Sequence, residues 1–240
     1  MNKKKPGLRY AALSDAGLRA QNEDAYCAGR AAGYNIFAVA DGLGGHARGE
    51  IASRMAVRIF EETAVEYLTK EEPSGVIRRA FEDANAAICA YNRENALNAA
   101  TTLSAAIVTP SGRCWIGTVG DSRTYIVTPD AVWHTRDQTY VQDLVESGVI
   151  SAAEAMLHPR RNVLTRALGL SIGVQIVLDQ VELAGGVLLI SSDGLHDYAP
   201  ESTIREIVLA DEPAMVCRRL IEAAMDAAST DNITVIVARA

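Results

Sequence analysis

Hydrophobic positions along the chain change rhythm several times. Leu8 to Leu13 and Tyr26 to Ala28 predict short strands, and the unbroken apolar run Ile36 to Ala40 predicts a strand buried on both faces. The period then lengthens. Ile51, Ala52, Met55, Ile59 and Phe60 recur at helical spacing, with Arg54, Arg58 and Glu61 between them. Val76, Ile77, Ala80, Phe81, Ala84, Ile88 and Tyr91 mark a second helix over 74–95, entered after Pro73 with Ser74 as N-cap. From Thr101 the pattern turns to strands. Thr101 to Val108, Cys114 to Val119, Thr124 to Val127 and Val132 to Thr135 are separated by turn residues at Pro110-Ser111-Gly112, Gly120-Asp121-Ser122 and Pro129-Asp130, which predicts an antiparallel meander. Tyr140 to Met156 reads as one or two short helices broken at Ser147-Gly148, before an irregular, basic stretch over 157–173. Ile176 to Leu183 and Val187 to Ser191 predict a hairpin across Ala184-Gly185-Gly186. A helix over 213–229, carried by Val216, Leu220, Ala223, Ala224 and Ala227, precedes a last strand, Ile233 to Ala238.

Strands and helices therefore come in blocks rather than alternating, which argues for α+β with antiparallel sheets. The two long amphipathic helices have one apolar face each and should cover a sheet. No linker-like stretch or repeat divides the 240 residues, so a single domain over 1–240 is expected.

Composition narrows the function. Hydrophobic residues make up 49% and charged residues 22%, which is globular rather than disordered. With 23 basic and 30 acidic residues the net charge is −7, a poor match for nucleic acid or anionic lipid. Lys3, Lys4 and Lys5 form the only basic run and read as a solvated tail. No apolar stretch approaches the ~18 residues of a membrane span, and no apolar segment follows the N-terminal lysines as in a signal peptide. Cys27, Cys89, Cys114 and Cys217 form no C-x-x-C pair and read as buried core thiols, which places the chain in the cytosol.

The acids carry the chemistry. Asp41, Asp121 and Asp193 each end an apolar strand, Glu23-Asp24 stands just before one, and Asp231 directly precedes the last. A carboxylate there is half desolvated, and several converging carboxylates repel one another. Divalent cations resolve both problems. Oxygen donors without Cys or paired His suit Mg²⁺, Mn²⁺ or Ca²⁺, and so many acids suit two ions ~3.5–4 Å apart sharing a bridging carboxylate and water. Gly42 and Gly194, next to Asp41 and Asp193, would let backbone approach closely. Taken singly, each Asp could equally cap a turn.

Seven blocks follow in order: Arg19-Ala20-Gln21-Asn22-Glu23-Asp24, Ala40-Asp41-Gly42-Leu43-Gly44-Gly45-His46, Thr101-Thr102, Val119-Gly120-Asp121-Ser122-Arg123, Asn162-Val163-Leu164-Thr165-Arg166-Ala167-Leu168-Gly169, Ser191-Ser192-Asp193-Gly194-Leu195 and Asp231-Asn232-Ile233-Thr234. From about residue 9 to residue 239 the chain thus resembles the metal-dependent protein phosphatases of the type 2C (PPM) family in their compact bacterial form. The resemblance implies a four-layer α-β-β-α sandwich, two antiparallel sheets flanked by helix pairs, with two Mn²⁺ or Mg²⁺ ions at one end. It implies hydrolysis of phosphoserine and phosphothreonine in proteins by in-line attack of a metal-bridging hydroxide. Asp41 falls where the family bridges both ions and Gly42 where a backbone carbonyl ligates one. Asp24, Asp193 and Asp231 fall on ligands, Glu23 on the holder of metal-bound waters, and Asp121 on the ligand of a weaker third ion. Arg19 matches the arginine that receives the phosphate, His46 is the nearest candidate general acid, and 137–165 would be a flap beside the site. Phosphorylated proteins would be the partners, opposed by a bacterial Ser/Thr kinase, and the protein would be a cytoplasmic monomer. Ala100, Gln138 and Leu195-His196-Asp197 depart from the family pattern without removing a ligand.

Three rival readings compete. Gly42-Leu43-Gly44-Gly45-His46-Ala47 with Glu62 mimics a dinucleotide fingerprint, but Glu62 falls within a helix and Asp41 would oppose a pyrophosphate. Gly120-Asp121-Ser122 with Asp193 and His196 resembles a GDS-type serine hydrolase, but a strand follows Ser122 where a nucleophile needs a helix. A catalytically silent phosphoprotein-binding regulator is disfavoured because every ligand position keeps its acid.

Overall fold

The computed structural model describes residues 8–43 and 48–239. In chain order these form β1 (Arg9–Asp15), β2 (Ala25–Ala31), β3 (Tyr34–Ala40), β4 (Gly42–Leu43), α1 (Arg48–Tyr67), α2 (Pro73–Asn95), β5 (Ala100–Thr101), β6 (Leu103–Val108), β7 (Arg113–Val119), β8 (Arg123–Val127) and β9 (Val132–His134). After them come α3 (Tyr140–Glu146), α4 (Ala152–Met156), β10 (Val177–Glu182), β11 (Val187–Ser191), α5 (Asp193–His196), α6 (Glu201–Ala210), α7 (Pro213–Asp226) and β12 (Ile233–Arg239).

Two five-stranded sheets, ordered β1-β12-β11-β8-β9 and β10-β7-β6-β3-β2, are antiparallel throughout, and β4 pairs with β5 separately. Side-chain alternation sorts the core into three layers of contact. In β3, Ile36 and Ala38 pack toward Phe60, Ile77 and Phe81 of α1 and α2, while Phe37 and Val39 meet Leu188, Ile190 and Ile236 of the facing sheet. In β12, Val235 and Val237 instead face Val216, Leu220 and Ala224 of α7. Strands buried on both faces read as unbroken apolar runs, which is why Ile36 to Ala40 shows no alternation. The α-β-β-α sandwich is therefore as expected, with α1 and α2 on one side and α6 and α7 on the other.

The structure corrects four expectations. Ile176 to Leu183 and Val187 to Ser191 do not pair with each other. β10 pairs with β7 in one sheet and β11 with β8 and β12 in the other, so the left-handed residues Ala184 and Gly185 form a crossing between layers. The meander likewise divides at Gly120-Asp121-Ser122, where the chain leaves β7 for the second sheet. The N-cap of α2 is Glu72, with Pro73 inside the first turn, where its fixed φ suits a helix and its missing N–H is harmless. Cys27, Cys114 and Cys217 are buried but Cys89 is only half-buried, its thiol directed at the Ser171 carbonyl.

Residues 140–156 form the two short helices expected, broken at Gly148 in the left-handed region. α3 and α4 pack chiefly on each other. Their neck is tied to the sandwich through Gln138, which is buried. Its backbone N–H donates to the Gly120 carbonyl, its carbonyl accepts from Thr165, and its side chain accepts from the Gly120 N–H at 2.8 Å.

Candidate active site

A cleft of about 590 Å³ opens at one end of the sandwich, lined by Arg19, Glu23, Asp41, Gly42, Asp193, Asp231 and Asn232 among others. Four separate stretches meet there. The loop after β1 brings Arg19 and Glu23, the end of β3 brings Asp41, the end of β11 brings Asp193, and the turn before β12 brings Asp231. Asp24 and Asp121 lie buried behind it.

Neighbours with small polar side chains fix each backbone. The Asp41 N–H donates to Thr102 Oγ1 at 2.9 Å, and its carbonyl accepts from Thr101 Oγ1 at 2.8 Å and the Thr102 N–H at 2.9 Å. Thr102 Oγ1 is in turn 2.7 Å from Ser122 Oγ. Asn232 accepts from the Glu23 N–H at 2.8 Å and donates to the Ala16 and Gln21 carbonyls, clamping the β1 loop against β12. Ser192 donates to Asp24 Oδ2 at 2.8 Å while accepting from the Thr234 N–H. Gly42 and Gly49 touch backbone to backbone; a Cβ on Gly49 would stand 2.7 Å from Glu23 Oε2. That close approach seats α1 beside Asp41.

Electrostatically the cleft is one-sided. Burial, and then the charges of Asp193, Asp24, Asp121 and Asp231, hold the Asp41 carboxyl well above the usual carboxylate range. Asp193 is raised for the same reasons, with Asp121 its strongest like-charged neighbour. Burial lifts Asp24 to about 6 against the lowering hydrogen bonds of Thr234 and Ser192, and burial with Asp137 and Asp197 lifts Asp121 to about 7. Asp24 Oδ1 and Asp193 Oδ1 are buried without a hydrogen-bond partner. Arg19 does not neutralise the group: its Nη2 lies 2.9 Å from Asp231 Oδ2 and its Nε donates to the Thr230 carbonyl, at the outer edge. Among the described residues, no three His, Cys, Asp or Glu side chains already stand close enough to cage an ion. The acids share one cleft as mutually repelling neighbours. All-oxygen donors, orphaned buried oxygens and uncompensated charge together fit hard divalent cations.

Each expected site residue within the described region lies in or directly behind this cleft; His46 lies outside the described residues. The serine-hydrolase reading fails on geometry. Ser122 is 1% exposed and bonded to Thr102, while His196 Nδ1 is 3.1 Å from Ser191 Oγ. Glu62 lies inside α1, which removes the dinucleotide reading. The positioning side chains Ser122, Ser192 and Asn232 were not foreseen. Their signal was present as a small polar residue directly beside Asp121, Asp193 and Asp231.

Residues 16–226 match the family model for protein phosphatase 2C. Serine/threonine protein phosphatase PstP of Mycobacterium tuberculosis is 38% identical over 239 residues, covering 96% of this chain and 45% of that protein. The chain thus spans just under half the length of that relative. Serine/threonine phosphatase stp of Listeria innocua is 38% identical over 213 residues, 84% of this chain and 83% of that one. The solved catalytic domain of serine threonine protein phosphatase PstP in complex with two manganese ions superposes with a TM-score of 0.82 at 35% identity, covering 97% of each chain.

Proposed function

The chain belongs to the protein phosphatase 2C family, and from that premise we propose that it is a metal-dependent phosphatase of phosphoserine and phosphothreonine in proteins. The observation that carries the reading is the convergence of uncompensated carboxylates, two of them with orphaned oxygens, on a cleft bordered by one arginine.

Asp24, Asp41, Asp193 and Asp231, with the Gly42 backbone and Glu23 beside them, would hold two Mn²⁺ or Mg²⁺ ions, and Asp121 a weaker third. The cations supply, when bound, a nucleophilic water at neutral pH and positive charge against the phosphoryl oxygens. The remaining work belongs to the chain. Thr101, Thr102 and Ser122 hold the Asp41 backbone so that its carboxylate points into the cleft without rearrangement. Arg19 has five N–H donors, of which Nε and one on Nη2 are engaged, leaving three for phosphate oxygens. Its bonds to Thr230 and Asp231 fix the guanidinium plane at the cleft mouth, the geometry a phosphate ester needs. The 590 Å³ cleft is open enough for a side chain presented on a polypeptide. Residues 137–165 act as a flap on a single domain, a cognate Ser/Thr kinase supplies the substrate, and the protein works as a cytoplasmic monomer. No helix among the described residues is long and apolar enough to cross a membrane.

Hydrolysis of a phosphothreonine peptide in Mn²⁺ and in excess chelator tests the reading. Turnover that requires the cation and disappears in Asp41→Asn supports it. Binding of the phosphopeptide without turnover, in any divalent cation, would instead identify a silent regulator.

A further inference from the structure

A second cavity, about 500 Å³, lies beneath the α3–α4 pair. One wall is apolar and comes from Val141 and Val145 of α3 and from Ala152, Ala155 and Met156 of α4. Other lining residues are charged: Asp121, Arg123 and Asp137 from the sheet end, Arg161 after α4, and Asp197 and Glu201 from the segment after β11. Asp121 joins this cavity to the acid cleft, since it lines the one and acts most strongly on Asp193 in the other.

The charges do not cancel. Arg123 is consumed by Asp137, with two bonds of 2.7 and 2.6 Å. His196 is engaged with Ser191. Asp121 belongs to the cation site. What remains is Asp197 and Glu201 against Arg161, with His134 Nε2 3.9 Å from Glu201 Oε2. A cavity lined by both aliphatic side chains and a surplus of carboxylate suits a side chain with a methylene stem and a cationic head. An aliphatic side chain would leave the acids without a partner, and an acidic one would meet like charge.

We propose that this cavity is a specificity pocket that receives a lysine or arginine side chain a few residues from the phosphorylated serine or threonine of a protein substrate. The proposal rests on the phosphatase reading and adds to it a substrate class: phosphoproteins with a basic residue near the phosphosite. It makes the flap helices and Glu201 determinants of sequence preference, while the acid cleft performs the hydrolysis.

The test uses the Mn²⁺-loaded protein and phosphothreonine nonapeptides carrying lysine, norleucine or glutamate in turn at each flanking position. At one position lysine should exceed norleucine by about fivefold in kcat/KM, the size of one partly exposed ion pair, with the difference in KM. Glu201→Lys should reverse the order, favouring glutamate. Met156→Glu, at an exposed position on the apolar wall, should strengthen the lysine preference, and keeps the test alive should Glu201→Lys fold poorly. Equal rates at every position overturn the proposal. So does a preference for norleucine over both charged residues, which would assign the cavity to aliphatic side chains. Hydrolysis of none of the peptides would overturn the phosphatase reading itself, a distinct result.

Discussion

Arg123 and Asp137 are largely buried, their side chains 22% and 16% exposed, and each finds a full counter-charge in the other. Burial opposes the Arg123 charge, yet its bonds to Asp137 and to Tyr125 hold its pKa above the ordinary value. Nearby, Asp41 and Asp193 are surrounded by protein and by other carboxylates, which hold both carboxyls well above the usual range. The two regions share a sheet end but handle desolvated charge oppositely. One is a closed pair that locks the entry to the flap against β8. The other is an open set of acids whose repulsion is stored until something outside the chain relieves it. Stability and chemistry are thus divided between neighbouring groups of the same residue types.

The contrast can be broken most severely at the acids. Asp41→Asn or Asp193→Asn should lower turnover by about 10³-fold or more, the scale of losing a preorganised charge at a reacting centre. The same variants should raise the melting temperature of the metal-free protein, because each removes a mutually repelling charge. Calorimetry beside a rate assay reads both, and a variant that lost stability as well as activity would contradict the division. Breaking the closed pair should do the reverse. Arg123→Ala leaves Asp137 buried and alone and should destabilise the fold by about 3–5 kcal/mol in urea titrations. Replacing both partners with apolar residues of similar volume should recover most of that loss.

Proton linkage gives a third contrast. The raised carboxyls bind protons more tightly in the folded chain than in the unfolded one, so their contribution to stability is complete below about pH 4. It is lost as pH climbs through about 6 for Asp24 and about 7 for Asp121, on the order of 3 kcal/mol for Asp24 alone. The gain in melting temperature from Mn²⁺ should therefore be larger at pH 7.5 than at pH 5; an equal gain at both would contradict the linkage. The smallest effect on stability belongs to Arg19, whose side chain is 56% exposed beside Asp231. Arg19→Ala should change stability by less than about 1 kcal/mol while lowering kcat/KM by roughly 10- to 100-fold.

How far the sequence foretold this follows from what each feature depends on. The acids were legible because a carboxylate at the end of an apolar strand is anomalous by itself, and Asp41 and Asp193 stand out without any partner in view. α1 and α2 were legible from their long apolar stripes. The crossing between β10 and β11 was not, since Ala184-Gly185-Gly186 is compatible with a tight turn or a change of sheet, and only packing decides. α6 was missed although Ile204, Ile207 and Val208 sit at helical spacing, because ten residues entered from Pro200 without a side-chain cap give a weak signal. The roles of Gln138 and Ser122 depend on contacts with Gly120, Thr165 and Thr102 that local sequence does not contain.

The most direct measurement is anomalous diffraction from crystals of this protein grown in Mn²⁺. Two strong peaks are expected within coordinating reach of Asp41 and the acids gathered around it, Asp24, Asp193 and Asp231. Crystals saturated with Mn²⁺ that show no peak among these oxygens would contradict this expectation.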